Sequence, residues 1–555
     1  MEKQRANVVD VVAEFLFYGE VSIDKGRIVA IDVLGDEQPS QPYLLPGFVD
    51  AHVHIESSML MPDEFAFAAL EKGTLASVSA PHEIANVLGA EGLQLMQRRS
   101  ALTPFKILFG APSCVPATPF ETAGATVNVQ DIHQLFASGD AGYLSEVMNF
   151  PGVLNNDPEL MKKIAAAKAM DLPIDGHAPG LKGDAAAKYA SAGITTDHEC
   201  TSLQEAHDKL AVGMSILIRE GSAAKDFPVP HPLLSSHPDS VMLCSDDKHP
   251  DDLLESHIRE QVIRALLLGH SLFNVLRAAT FNPVTHYGIS LGLLQVGDTF
   301  DAILVRDLND FYITSAWING KQVVKNEGCL LPHHPPECLN NFMAEAVTVE
   351  TLRLPHPGLP CRVIVAHDGQ LLTRQQIFPM PEKNGMVEAD LDNDVLFLTV
   401  TNRYHSVPPV VALVKGFGLL EGAIASSVAH DSHNIVAVGT SPEWLEKAVN
   451  EVIQHKGGLA TASIRGLDSL PLPVAGLMSD HPANIVGPAY RRLNDCAQQM
   501  GSSLHAPFMT LSFMALLVIP ELKLSDKGLF DGNRFKFCSL GVDSNEVSES
   551  AMSKH

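Results

Sequence analysis

Between Leu44 and Pro283, short apolar runs alternate with segments of helical period. The apolar runs fall at 48–54, 77–79, 106–110, 143–147, 173–177, 195–198, 215–218 and 241–245, and residues 158–170 and 203–209 are examples of the helical segments between them. Eight strands alternating with helices predict an α/β chain whose residues 46–283 form a (β/α)8 TIM-like barrel. Before it, Val21-Ser22-Ile23, the turn Asp24-Lys25-Gly26 and residues 27–31 read as a hairpin with its turn glycine in place. After Asn282-Pro283 the pattern returns to strands at 288–290, 297–298 and 302–305. Residues 1–45 and 284–325 are therefore expected to build one small composite β-sandwich beside the barrel. Residues 325–345, centred on Pro332-His333-His334-Pro335-Pro336, read as a linker. Strands at 395–400, 410–414 and 435–438 with a helix at 442–455 predict a further C-terminal α/β domain over 340–545.

Composition sharpens this picture. A chain of 555 residues is too long for one core, and 46% apolar with 19% charged residues is a globular balance. The net charge of −26 argues against a nucleic-acid backbone or an anionic membrane surface as partner, but a neutral base remains open as substrate. No basic segment followed by an apolar one opens the sequence, so no secretory leader is expected. The longest apolar stretch, 508–519, is interrupted by Thr510 and Ser512, closed by Pro520, and too short to cross a bilayer. Eight cysteines without C-x-x-C spacing fit reduced thiols and a cytoplasmic location. The Ser-rich tail after Val542 is expected to fray.

The candidate chemistry starts at PGFVDAHVHIE, residues 46–56. Side chains alternate along a strand, so His52 and His54 share a face while Val53 packs behind. Catalytic groups in such barrels stand at the C-terminal ends of strands. The predicted ends carry Glu146 on the fourth strand, His177 on the fifth, His198-Glu199 on the sixth and Asp246-Asp247 on the eighth. Taken singly each has a plainer explanation: a histidine bonded to backbone in the core, or an aspartate capping a helix. Together, four histidines and two carboxylates at separate strand ends suit two divalent transition ions sharing a carboxylate and a water-derived oxygen.

The succession PGFVDAHVHIE, SEVMNFPG, DGHAPGLKG, TTDHECTSLQEA and CSDDKHPDD resembles the amidohydrolase superfamily, and within it the bacterial and archaeal adenine deaminases. The resemblance continues through PHEIANV at 81–87, MSILIREG at 214–221, AHDSHN at 429–434, LPVAGLM at 472–478 and PFMTL at 507–511. It implies that His52 and His54 hold the more buried ion with Asp246, that His177 and His198 hold the second, and that Glu146 bridges them where many relatives carry a carboxylated lysine. It departs from the family at Ser79-Ala80-Pro81, where an acidic residue more often precedes the proline, and at Asp298-Thr299-Phe300-Asp301. Manganese is the expected ion, with iron and zinc compatible with the same donors.

The implied reaction is hydrolysis of adenine to hypoxanthine and ammonia by a metal-bridging hydroxide, in purine salvage. Asp246 would carry the hydroxide proton to the leaving amine, and a protonated Glu83 or Glu199 would donate to ring nitrogen N1. Glu83 has a competing reading as a carboxylate favoured by a helix start. Asp247 and His249 would orient Asp246 or cap a turn, His82 lies beside Glu83, and Arg219 would contact the purine or form a structural ion pair. His430 and His433, three apart, are read as sharing one helix face in a segment that closes over the barrel mouth, with a metal or substrate role open to them and capping and packing as the alternative. The competing functions are a ring-opening cyclic amidohydrolase on the same two-ion barrel and a non-catalytic subunit. A homo-oligomer is expected.

Overall fold

The computed structural model describes residues 2–222 and 224–543; Ala223 and the tail beyond 543 lie outside the described residues. The eight predicted strands are all present: β1 (Phe48–Val53), β2 (Thr74–Ser79), β3 (Lys106–Ala111), β4 (Tyr143–Val147), β5 (Ile174–Gly176), β6 (Thr196–Asp197), β7 (Ser215–Arg219) and β8 (Val241–Cys244). β1 to β5 pair in parallel in chain order, and β6 to β8 form a second parallel set. β5 lies against β6, and a bridge from Val53 to Asp246 joins the eighth strand to the first, closing the barrel. Every residue of β1, β2 and β4 is buried, because helices cover one face of the sheet and neighbouring strands the other. That is why these strands read as continuous apolar runs. Two glycines serve close approach. A Cβ at Gly47 would stand 2.1 Å from Leu75 Cγ, and one at Gly176 would stand 2.3 Å from the Thr196 carbonyl oxygen.

The flanking segments form one continuous eight-stranded sheet. Tyr43–Pro46 knits it together, pairing in parallel with Glu2–Asp10 and antiparallel with Ala302–Val305. The predicted hairpin is there, with Asp24 opposite Arg27. Residues 288–290 and 297–298 are not strands, contrary to expectation. Gly288 adopts φ 64° and caps the helix Phe281–Tyr287. Asp298 instead organises a turn, its Oδ2 accepting from the Leu293 and Gln295 amides. Glycine and aspartate there supply turn chemistry that an apolar count cannot see.

The C-terminal part is built on a second eight-stranded sheet, with Val395–Thr401 between Val410–Lys415 and Ile435–Gly439. The helix Pro442–Gln454 packs on it, and both elements agree with their predicted bounds to within a residue. The histidine-rich segment is not helical. Residues 427–434 link Ala423–Ser426 to the antiparallel Ile435–Gly439 as a loop. The connecting stretch 325–345 holds the short strand Gly328–Cys329 and otherwise runs over the barrel, where the Pro335 carbonyl accepts from Arg99.

Candidate metal centre and active-site cavity

The strand ends bring the six predicted donors together. His54 Nε2 lies 3.3 Å from Glu146 Oε1 and 3.1 Å from Asp246 Oδ1, and His52 Nε2 lies 3.5 Å from the same aspartate oxygen. On the other side of Glu146, its Oε2 is 2.9 Å from His177 Nδ1 and 3.3 Å from His198 Nε2. Glu146 thus stands between the two histidine pairs. Two ligands each about 2.1 Å from one ion, at tetrahedral to right angles, lie roughly 3.0–3.4 Å apart, so these spacings suit shared coordination. The donor chemistry fits as well. His54 donates from Nδ1 to the Ala80 carbonyl at 2.8 Å, which leaves the Nε2 lone pair facing the cluster. Position 80 matters here only through its backbone, so the loss of an acidic side chain costs this contact nothing.

The first pair is the deeper one: His52 is fully buried, whereas the His177 side chain is 17% exposed. Asp246 adopts φ 55°, uncommon for a residue with a side chain, at the point where the barrel closes. The Asp246 amide donates to the His52 carbonyl at 2.9 Å, and the His54 amide donates to the Asp246 carbonyl at 3.3 Å. Burial pushes the Asp246 carboxyl up, but Arg219 and the facing histidines outweigh that and hold it well below the usual range.

Arg219, at the end of β7, makes the ion pairs of one reading while still lining the cavity that the other requires. Its guanidinium donates to Asp246 at 2.9 Å, to Asp226 at 2.7 Å and, through both terminal nitrogens, to Glu199. This fork offsets the burial of Glu199 and brings that carboxyl down to about 2. Glu83 lies in the first turn of the buried helix His82–Leu88. Burial pushes it up, yet His430, His82 and His433 surround it and hold it well below its ordinary value. The Arg219 fork and the surrounding histidines lower both carboxyls, whereas service as the proton donor to N1 would need one of them raised.

His82 Nδ1 is 3.2 Å from Glu146 Oε1, and its Nε2 is 3.3 Å from Glu83 Oε1. Glu83 in turn accepts from His430 Nδ1 at 2.5 Å and from His433 Nε2. The two C-terminal histidines therefore reach the barrel mouth, although from a loop and not from a helix face. Asp247 accepts from Ser57 Oγ at 2.5 Å, beside the cavity. His249 is not on the cavity wall: it precedes the helix Pro250–Glu255 and packs edge-on against Tyr490 at 4.8 Å.

Most of these groups, from His54 and Glu146 to Arg219, Asp246 and His430, line one cavity. Its metal-side wall is polar, and its outer lip is Leu371, Phe513, Leu516, Val518 and Ile519, all from the C-terminal part. Sequence reasoning did not single out this lip, and it gave Asp431, which also faces the cavity, only a capping and packing role. The signal was present: 513–519 is apolar without helical or alternating period, the composition of a segment that lines a pocket.

Residues 43–323 match the Amidohydrolase family, and residues 370–536 match the Adenine deaminase C-terminal domain. The adenine deaminase of Salinibacter ruber is 50% identical over 97% of this chain and 98% of its own. That of Methanosarcina mazei is 46% identical over 98% of this chain and 100% of its own, and that of Sulfurovum sp. 50% identical over 96% and 99%. With the barrel, the six convergent donors and near full-length likeness on the page, the chain belongs to the adenine deaminase family of amidohydrolases.

Proposed function

We propose that the chain hydrolyses adenine to hypoxanthine and ammonia, with two divalent transition ions held by His52, His54, Asp246, His177, His198 and the shared Glu146. The reading rests on the carriage of Glu146 between two histidine pairs in a chain half identical to named adenine deaminases. Bound there, the ions would ionise water at neutral pH, supplying hydroxide where free water offers none. Asp246, 3.1 Å from His54 and gripped by Arg219, accepts the proton of the attacking water and passes it to the departing amino group. Glu199 fixes Arg219 and through it the orientation of Asp246. Glu83 braces His82 and His430 at the cavity wall, and Asp247 lies next to Asp246. The apolar lip sequesters a flat heterocycle from bulk water. Manganese fits the nitrogen–oxygen donor set, as do iron and zinc.

Three units support this reading: 1–45 with 284–325, the barrel over 46–283, and 340–545, which supplies the lip. Eight free cysteines among the described residues fit a reducing, cytoplasmic setting, and no helix of the described residues is long and apolar enough to cross a membrane. A homo-oligomer is supported by the edge strand Arg27–Gly35, which exposes Val29, Val33 and Leu34.

The test offers purified, manganese-loaded protein adenine, adenosine and hydantoin and follows ammonia. Release from adenine alone, with about two ions per chain by elemental analysis and loss of turnover in Glu146→Ala, is the expected result. No release from adenine with any of manganese, iron or zinc, or ring opening of hydantoin, overturns the reading.

A further inference from the structure

Deamination at C6 needs a proton on ring nitrogen N1, and the two glutamates on the cavity wall have their oxygens engaged by neighbours, Glu199 by Arg219 and Glu83 by His430 and His433. A different group stands beside them. His430 lines the cavity, its ring stacked on Phe513 at 4.8 Å and 12°. Its Nδ1 donates to Glu83 Oε1 at 2.5 Å, which leaves Nε2 as the ring nitrogen available to an occupant. The other Glu83 oxygen is taken by His433 Nε2. His433 Nδ1 accepts from the Ala429 amide at 3.2 Å, and a backbone N–H can only donate. The proton of His433 therefore sits on Nε2 and is given to Glu83. That assignment removes the lone pair a metal would need, so Glu83, His430 and His433 are a hydrogen-bonded chain and not a third ion site. Arg403, fully buried, fastens the arrangement by donating from Nη1 to the His433 carbonyl at 3.2 Å.

We propose that His430, contributed by the C-terminal domain, is the proton donor to N1, with Glu83 and His433 as the residues that position it. The proposal rests on the adenine reading above. A carboxylate at Nδ1 favours the imidazolium and fixes the ring, the arrangement that makes histidine an effective acid. The protons balance as follows. Water oxygen bonds C6 and its proton goes to Asp246, while the N1–C6 π pair moves to N1, which takes the Nε2 proton of His430. The amino group then takes the Asp246 proton, the C6–N bond breaks and ammonia leaves. The C6 hydroxyl releases its proton as the carbonyl forms, which makes good the one His430 gave up.

Manganese-loaded wild type, His430→Gln and His430→Gly are compared on adenine from pH 6 to 10, with ion content by elemental analysis and hypoxanthine affinity by calorimetry. The expected result is unchanged ion content and hypoxanthine Kd, kcat lower by roughly 10²–10⁴-fold, loss of the basic limb of the pH profile, and partial recovery of His430→Gly by added imidazole. Glu83→Gln, which preserves volume, is expected to move that limb to lower pH, because the imidazolium loses its carboxylate. The proposal is overturned if His430→Gln keeps kcat within about threefold. It is equally overturned if kcat is lost together with hypoxanthine binding and imidazole restores nothing, or if the Glu83→Gln limb stays in place. Failure of wild type to deaminate adenine would instead sink the functional reading itself.

Discussion

Arg219 shows how single residues carry this site. It is 4% exposed and serves three carboxylates, Glu199, Asp226 and Asp246, so removing it strands several buried negative charges at once. Breaking such a pair costs about 3–5 kcal/mol, and Arg219→Met is expected to lower the thermal midpoint accordingly at pH 7. The pH dependence has a definite sign. Glu199 is held at about 2, below its ordinary value, so it adds stability that is present above pH 4.5 and is lost as pH falls through 2. The gap between wild type and Arg219→Met should therefore narrow in melts run at pH 3.5, and a constant gap would refute the pairing as its source. At this scale the six convergent residues were legible only as a set, because each alone has a plainer use and it is their recurrence at separate strand ends that structure alone does not require. Arg219 was legible as a candidate, but an arginine in an apolar run can serve purine or carboxylate, and only the positions of Glu199 and Asp226 reveal its ion pairs. His249 does not line the cavity, because it stands before the helix Pro250–Glu255 with its ring against Tyr490.

Strands buried on both faces write themselves as apolar runs, which is why all eight barrel strands could be placed from sequence, with bounds differing from the observed ones by up to three residues. The loop at 427–434 could not be placed, since a spacing of three between histidines looks like helical period. There the backbone joins two short antiparallel strands, and the histidines share a target because both reach Glu83, not because they share a helix face. The lip illustrates how elements cooperate. Lys523, on the strand Leu522–Ser525, is fully buried and donates to the carbonyls of Leu371 at 2.8 Å and Phe513 at 2.9 Å, both lip segments. Burial pushes its pKa down to about 7, so the folded chain holds this amine more weakly than the unfolded chain does. Stability from this position therefore rises with pH between 7 and 10.5. The midpoint of wild type relative to Lys523→Met should climb by several degrees from pH 7 to pH 9.5, and a flat difference would show that the lysine is already charged in the fold. The same variant should raise KM for adenine, since the lip loses its tie.

For the whole molecule, the decisive fact is that the donors come from β1, β4, β5, β6 and β8, while Glu83 is gripped from the C-terminal sheet. No single segment contains the set, so ions held by these residues would bind only the folded chain, and their affinity would add to its stability. At a free ion concentration a thousand times Kd the gain is about 4 kcal/mol per ion. A barrel of this size shifts by roughly 2–4 °C per kcal/mol. Chelation should then lower the thermal midpoint by about 10 °C or more, and manganese should restore it. Because His433 and His430 tie the C-terminal loop to the helix that follows β2, the loss should also reach that loop, seen as faster amide exchange around Ala429 and Asn434 in the chelated protein. An unchanged midpoint after elemental analysis confirms removal would mean that the six donors hold their places without ions. Their 2.9–3.5 Å spacing would then be a hydrogen-bond network in its own right.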